Sequence, residues 1–383
     1  MKSMEMKLNE IIPMNNSFLE QWNRAIDGTI REKQRFNINY PMLENVLAAS
    51  IKNQRFRRIG PIDKLIPVKK EEIISVALNF FQSIDEELYN EALKVILGQR
   101  DRTKMGIYNT HEVQNFNEKD ENGMPKYTRD GNVTTYYGNS YVHIPLQERL
   151  HKKESKILGK EEGTLEDIYT LVHEIAHLFD LNKADTSTKV EEIVEPDRRI
   201  NKRKVTRELL GEATTIAFEG LLTDYLLANH LYPESAIRDI ANSRANSSLS
   251  DARIAYAKLV LAAEKEKNGE IKLEFVEKMM KENNMSVQDV RRTARRIIDD
   301  DKGALYRNRY AIGGLIAPTI IKAYEHDKQH GTQKLKAYLK AVYDDNFEGA
   351  LHALGIEPNE QGIAILIKNM KARDAKINDD MER

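Results

Sequence analysis

The sequence predicts a mainly α-helical protein with a small β-sheet beside one buried helix. Three observations predict this. Apolar residues recur at helical spacing from about residue 69, and again from Ser248 to the end. The helical period fades between Gly106 and Gln147, where Tyr136, Tyr137, Tyr141, Val142 and Ile144 supply aromatic and β-branched strand formers ending at Pro145. One stretch, Gly163 to Asp180, combines an apolar stripe with two histidines one turn apart.

The bulk composition fits that class. A chain of 383 residues exceeds the size at which one compact core usually stops growing, so one large or two joined domains are expected. Lys+Arg at 59 against Asp+Glu at 60 leaves no global field that would favour nucleic acid or a membrane surface. The chain has no cysteine, which excludes a disulfide scaffold and any thiolate metal site. Residues 1 to 16 contain no apolar core of signal-peptide length, and no stretch approaches the apolar length of a membrane span. A soluble, cytoplasmic protein is expected.

Taken in order, residues 1 to 67 are polar and basic, and Pro13, Pro41, Pro61 and Pro67 interrupt short helical stretches such as Leu43 to Lys52. They are expected to form a short N-terminal helical cap, with residues 68 to 383 as the main, helical domain. Glu71 to Phe81 and Leu88 to Leu97 carry apolar residues at helical spacing and read as core helices. His143 alternates with Val142 and Ile144 and reads as a solvent-facing strand residue.

The helix opening near Gly163 follows. Thr164 and Asp167 have the spacing of a capping box. Leu165, Ile168, Val172, Ile175 and Phe179 form one apolar stripe, and Leu171 and Leu178 make the flanks apolar too. His173 and His177 fall together on the other side. The segment reads His173-Glu-x-x-His177, and stacked side chains one turn apart can place two ring nitrogens on one ion. Glu174 sits beside that ion as a base for its water. A solvated surface copy of the pattern would be surrounded by Lys, Gln or Glu; this one has Leu, Val, Ile, Ala and Phe. Without cysteine, Zn2+ would be held by histidine and carboxylate, the donor set of an open site rather than a closed structural one.

Residues 181 to 204 read as a long loop with a basic cluster at Arg198, Arg199, Lys202, Arg203 and Lys204. No aromatic residues interleave to stack bases, so a solvated face is the better reading. A second cluster, Arg291, Arg292, Arg295 and Arg296, reads as one charged helix face. Between them a helix over about 204–230 puts Glu208, Glu212, Thr215 and Glu219 within roughly 60° of one another. Leu222 and Leu226 continue the same stripe. Carboxylates that share a face with leucines need a cation or donors. One of them as a third metal ligand, with others accepting from the histidine N–H groups, would meet that need. A salt-bridged face is the alternative.

From Gly303 to Ile321, Tyr306 and Tyr310 lie one turn apart before a small-residue stretch, Ala311, Gly313, Gly314 and Ala317, that permits close helix packing. The tyrosines are either core residues or donors to a developing oxyanion.

Together these segments resemble, in order, the thimet oligopeptidase and oligoendopeptidase F family of zinc metallopeptidases, from about residue 67 onward. The similarity runs through Pro67 to Leu88, Lys104-Met-Gly-Ile-Tyr108, Gly163 through His177, Gly211 to Gly220 with Leu222 to Leu227, and Tyr306 to Gly313. The resemblance implies a helical, zincin-like metallopeptidase with His173, His177 and Glu212 as zinc ligands and Glu174 as general base. It matches Glu219 to a second acidic position, and Tyr306 and Tyr310 to tyrosines over the substrate carbonyl. This chain carries Ala176 where the family usually has Gly, and Asp180 where it has another His. The longer separation from His177 to Glu212 keeps Glu208 as an alternative ligand. The N-terminal region is shorter than the family's long helical lobe, which implies a more open channel.

The expectation is a zinc-dependent endopeptidase acting on oligopeptides, with the backbone near Tyr141 to Ile144 holding the peptide as an added strand. Peptide is the expected partner; nucleic acid and membrane are not. The alternative is a helical binding protein with a non-catalytic zinc site, which Ala176 and Asp180 favour. A nucleic-acid binder using the arginine clusters would show salt-dependent binding, and the neutral charge balance argues against it.

Overall fold

The computed structural model describes residues 16–35, 40–60, 66–96, 103–109, 134–136, 139–146, 162–181, 205–271 and 304–378, with isolated positions between 275 and 297. The architecture is mainly helical. In chain order the elements are α1 (Asn16–Arg35), α2 (Tyr40–Asn53), β1 (Pro67–Lys69), α3 (Lys70–Ile84), α4 (Glu86–Ile96), β2 (Thr103–Asn109), β3 (Thr134–Tyr136) and β4 (Asn139–Leu146). They continue with β5 (Glu162–Thr164), α5 (Leu165–Leu181), α6 (Val205–Ala228), α7 (Glu234–Asn268), α8 (Ala304–His326), α9 (Lys328–Tyr343), α10 (Phe347–Ala353) and α11 (Glu360–Asn378).

The two-stranded sheet sets the entry of two helices. β1 and β5 pair antiparallel, with Val68 opposite Gly163, and each strand runs directly into a helix, α3 and α5. Those helices therefore start side by side and pack on each other. The Asp167 half of the expected capping box is present: Asp167 Oδ2 accepts from the Thr164 amide at 2.6 Å, and the Thr164 hydroxyl donates to the same oxygen at 3.1 Å. That satisfies an amide the first helical turn would leave without a partner.

The second sheet has the order β2-β4-β3, with β4 parallel to β2 and antiparallel to β3. β4 packs against α5, the expected position beside the motif helix. β2 was not foreseen as a strand: Thr103 to Asn109 holds a glycine and a lysine and lacks a clean alternation, so only pairing along β4 reveals it. β4 is the middle strand, not an edge. β3 pairs with β4 only from Asn139 to Tyr141, so from Val142 onward that side of β4 has no strand partner among the described residues.

The centre of the molecule is α6. It contacts α5 on one side and α8 and α7 on others. Leu209, Leu210, Ala213, Ala217, Phe218, Leu222 and Leu226 are all buried, so this helix is covered nearly all round. The predicted stripe of α5 is buried as well, at Leu165, Ile168, Val172 and Ile175, together with its flank at Leu171. α8 reaches α6 and α7 through its small residues. A Cβ added to Gly313 would meet Ile216 Cδ1 at 2.9 Å and the Glu212 carbonyl carbon at 3.0 Å, and one on Gly314 would meet Ser248 Cβ at 3.2 Å. Any side chain at Gly313 would push α8 off α6. Leu43, Val46, Leu47 and Ile51 of α2 join this same core, whereas Trp22 and Ile26 of α1 pack into a separate cluster with α7.

No described helix is long and apolar enough to cross a membrane. The first basic cluster, residues 198 to 204, and Arg291, Arg292 and Arg295 lie outside the described residues. Arg296 donates to Ser250 Oγ at 2.8 Å.

Candidate metal centre

The site is built where α5 and α6 face each other. His173 and His177 occupy one side of α5, opposite its core stripe, with ring centroids 4.8 Å apart and planes at 83°. Glu212 projects from α6 towards both. Its Oε2 lies 3.5 Å from His173 Nε2 and 3.5 Å from His177 Nε2. Donor atoms of these three residues all lie within 4.8 Å of one another.

That spacing can be tested against an ion. A tetrahedral zinc with bonds of about 2.1 Å needs its donor atoms about 3.4 Å apart. The two nitrogen–oxygen separations meet this without rearrangement. The donors are two imidazoles and a carboxylate, a set suited to zinc and other divalent ions of similar softness. His173, His177 and Glu212 could therefore hold a metal ion.

The rest of the carboxylate set is arranged around this triad. Glu219, two turns along α6 from Glu212, places Oε1 2.7 Å from His173 Nδ1. Burial disfavours the ionised form of Glu219, but Arg244 and His173 outweigh it and hold the pKa below the ordinary carboxylate range. An ionised carboxylate only accepts hydrogen bonds, so His173 Nδ1 is the donor. In the neutral ring the lone pair is then on Nε2, the nitrogen that faces Glu212.

Glu212 is buried, and burial by itself would raise its pKa. His177, Arg309 and His173, with a 3.2 Å hydrogen bond from Thr215 Oγ1, reverse that and hold it low. Burial likewise works against a charged His173, yet the hydrogen bond and charge of Glu219, with the charges of Glu174 and Glu212, push its pKa up to about 9. Where no metal is bound, a proton on His173 therefore balances part of the negative charge. Glu174 is also buried, at 4% exposure, on the same helix turn as the two histidines.

Arg309 approaches from α8. Its Nε lies 3.5 Å from Glu212 Oε1, the oxygen turned away from the histidines. The same guanidinium stacks over the Tyr310 ring at 4.7 Å and donates to the Tyr310 hydroxyl at 2.9 Å. Tyr310 is thereby joined to the triad through Arg309.

No protein-family model matches the chain, and no curated protein matches it. Its fold is similar to a crystal structure of a "putative peptidase" from Chlamydophila abortus, with a TM-score of 0.52 at 12% identity. The similarity covers 97% of this chain but only 57% of that protein, so the chain spans little more than half its length.

Of the residues singled out from the sequence, His173, His177, Glu212, Glu174 and Glu219 come together in one place. Glu208 and Tyr306 belong to α6 and α8, but their side chains lie outside the described residues, as do the side chains of β4, including His143. Arg244 and Arg309 were not foreseen. Arg309 stands beside Tyr310 in a stretch read for its tyrosines, and adjacency was its only signal. Arg244 sits in Ala241-Asn-Ser-Arg-Ala-Asn246, a polar run with no distinctive spacing, so nothing local marks it.

Proposed function

We propose that this protein is a zinc-dependent endopeptidase of the kind its motifs resemble, acting on oligopeptides. The observation that carries the reading is the equal 3.5 Å spacing of Glu212 Oε2 from both histidine Nε2 atoms, with buried Glu174 between those histidines in sequence. The distant similarity in fold to a protein named as a peptidase agrees with it.

In this reading His173, His177 and Glu212 hold the ion, which supplies a water of lowered pKa and a Lewis-acid contact for a carbonyl oxygen. Glu174 takes a proton from the water as its oxygen bonds to the peptide carbonyl carbon. It then passes that proton to the amine as the C–N bond breaks. Tyr310, or Tyr306 one turn before it, donates to the carbonyl oxygen as negative charge develops there. Glu219 keeps the His173 ring oriented through Nδ1. The side of β4 that has no strand partner among the described residues from Val142 onward would offer backbone groups to an extended peptide, as an added strand. Residues 68 to 383 would carry this chemistry, with residues 1 to 67 as a cap.

The experiment is a peptide-library digest followed by mass spectrometry, with metal content measured on the same preparation. The reading requires about one zinc per chain, zinc-dependent cleavage, and loss of cleavage with zinc retained in Glu174→Gln. Zinc without cleavage would instead establish the non-catalytic binding protein.

A further inference from the structure

A cation on a third helix joins this centre. Arg244 of α7 donates through one terminal nitrogen to Glu219 Oε1, the same oxygen that accepts from His173 Nδ1. Its other terminal nitrogen lies 3.4 Å from Thr170 Oγ1, and its guanidinium sits 5.5 Å from the centre of the Tyr169 ring. Tyr169 and Thr170 form the turn of α5 that immediately precedes His173. Tyr169 is itself tied to α6 by a 3.1 Å hydrogen bond between its hydroxyl and Thr223 Oγ1.

We propose that Arg244 is a positioning residue of the metal centre: by holding Glu219 it fixes the His173 ring in the orientation that presents Nε2 to the ion. This deepens the metallopeptidase reading and rests on its metal site. Three physical points support it. Glu219 is a buried carboxylate on the same helical face as a second one, Glu212, and such a pair needs fixed cations or donors to stay in place. A fork-shaped guanidinium can grip Glu219 on α6 and Thr170 on α5 together, which a single point charge cannot do. And because one oxygen of Glu219 takes both donors, any swing of that carboxylate away from Arg244 also releases the imidazole.

The space around Arg244 provides a specific test. Arg244 and Glu219 line a cavity of about 100 Å³ between α6, α7, α8 and the end of α11, walled by Ile216, Ala245, Ala317 and Met370. Truncation to alanine enlarges a cavity that already exists, and a small guanidinium ion can then occupy the vacated position.

The experiment measures the zinc dissociation constant by chelator competition for the full chain at fixed pH, with Arg244→Ala, Arg244→Lys and Glu219→Gln. Zinc binding by Arg244→Ala is expected to weaken tenfold or more, within the range found for outer-shell partners of metal ligands. Arg244→Lys is expected to fall between it and wild type. Methylguanidinium at millimolar concentration should restore binding in Arg244→Ala and leave wild type unchanged. In the Glu219→Gln background, removing Arg244 should change affinity less than twofold, because the two act as one unit. Wild-type affinity in both Arg244 variants would overturn the proposal, and so would an undiminished loss in the Glu219→Gln background. If Arg244→Ala does not fold, Arg244→Lys alone and combined with Glu219→Gln makes the same comparison. Wild type that binds zinc but cleaves nothing would refute the peptidase reading and leave this inference standing; wild type with no affinity for zinc would refute both.

Discussion

Gly313 of α8 rests on the backbone of Glu212 in α6, with the site of its missing Cβ 3.0 Å from the Glu212 carbonyl carbon and 3.1 Å from the Ala213 amide. The helix that carries Arg309 and Tyr310 is thereby seated on the turn that carries the candidate ligand. Alanine at this position gains about 1 kcal/mol of helix propensity, while overpacking against backbone costs about 1–3 kcal/mol. Gly313→Ala should therefore be mildly destabilised. Gly313→Val, with two more carbons and a stiff χ1, should lose the full amount and bind zinc more weakly. Urea unfolding and chelator competition check both, and a Gly313→Val protein of wild-type stability would show that α8 does not press on Glu212.

The choice of third ligand rests on which carboxylate faces the histidines. Glu212→Ala should abolish stoichiometric zinc in protein purified without chelator, while Glu208→Ala should keep it. Mass-spectrometric metal content decides the matter, and zinc lost from Glu208→Ala but kept in Glu212→Ala would reverse the assignment.

The charge balance of the centre makes a prediction about pH. The pKa of His173, about 9, lies above the ordinary 6.5, so folding favours its protonated form. That contribution is fully present below pH 6.5 and is lost as pH rises through about 9. Glu212 and Glu219 are held below 4.5, so theirs is present above pH 4.5 and lost as pH falls. Metal-free protein should therefore lose thermal stability from pH 6.5 towards 9. Zinc takes the place of the His173 proton, so its stabilising effect should grow over the same interval. Melting curves with chelator and with saturating zinc should diverge as pH rises; a constant gap would mean that His173 does not exchange its proton for the metal.

The start of α5 is fixed by Asp167, which is buried and accepts twice from Thr164. Asp167→Ala should cost about 0.5–2 kcal/mol, the range for a lost helix cap. Denaturant midpoints measure it. Because β5 and the first turn of α5 lie well before His173, zinc affinity should change little once the protein is folded.

The sequence by itself determined the helix that matters and which of its faces carries the candidate metal ligands. Periodicity separates Ile168, Val172 and Ile175 from His173 and His177, because positions on a helix are fixed by a rotation of about 100° per residue. The same rule placed Glu212, Thr215 and Glu219 on one face of α6, and Thr164 with Asp167 at the start of α5. Only the tertiary structure decided how those faces meet. The rotation of α6 that puts one Glu212 oxygen between two imidazoles, and Glu219 behind His173, depends on packing between helices distant in sequence. So does the arrival of Arg244 from α7 and Arg309 from α8, whose charges carry no periodic mark. The strand β2 became legible for the same reason: Thr103, Ile107 and Tyr108 favour a strand while Lys104, Gly106 and Asn109 do not, and pairing along β4 decides between them. Local spacing orients side chains about one helix axis, but distances between axes are set by close contacts such as Gly313 on Glu212.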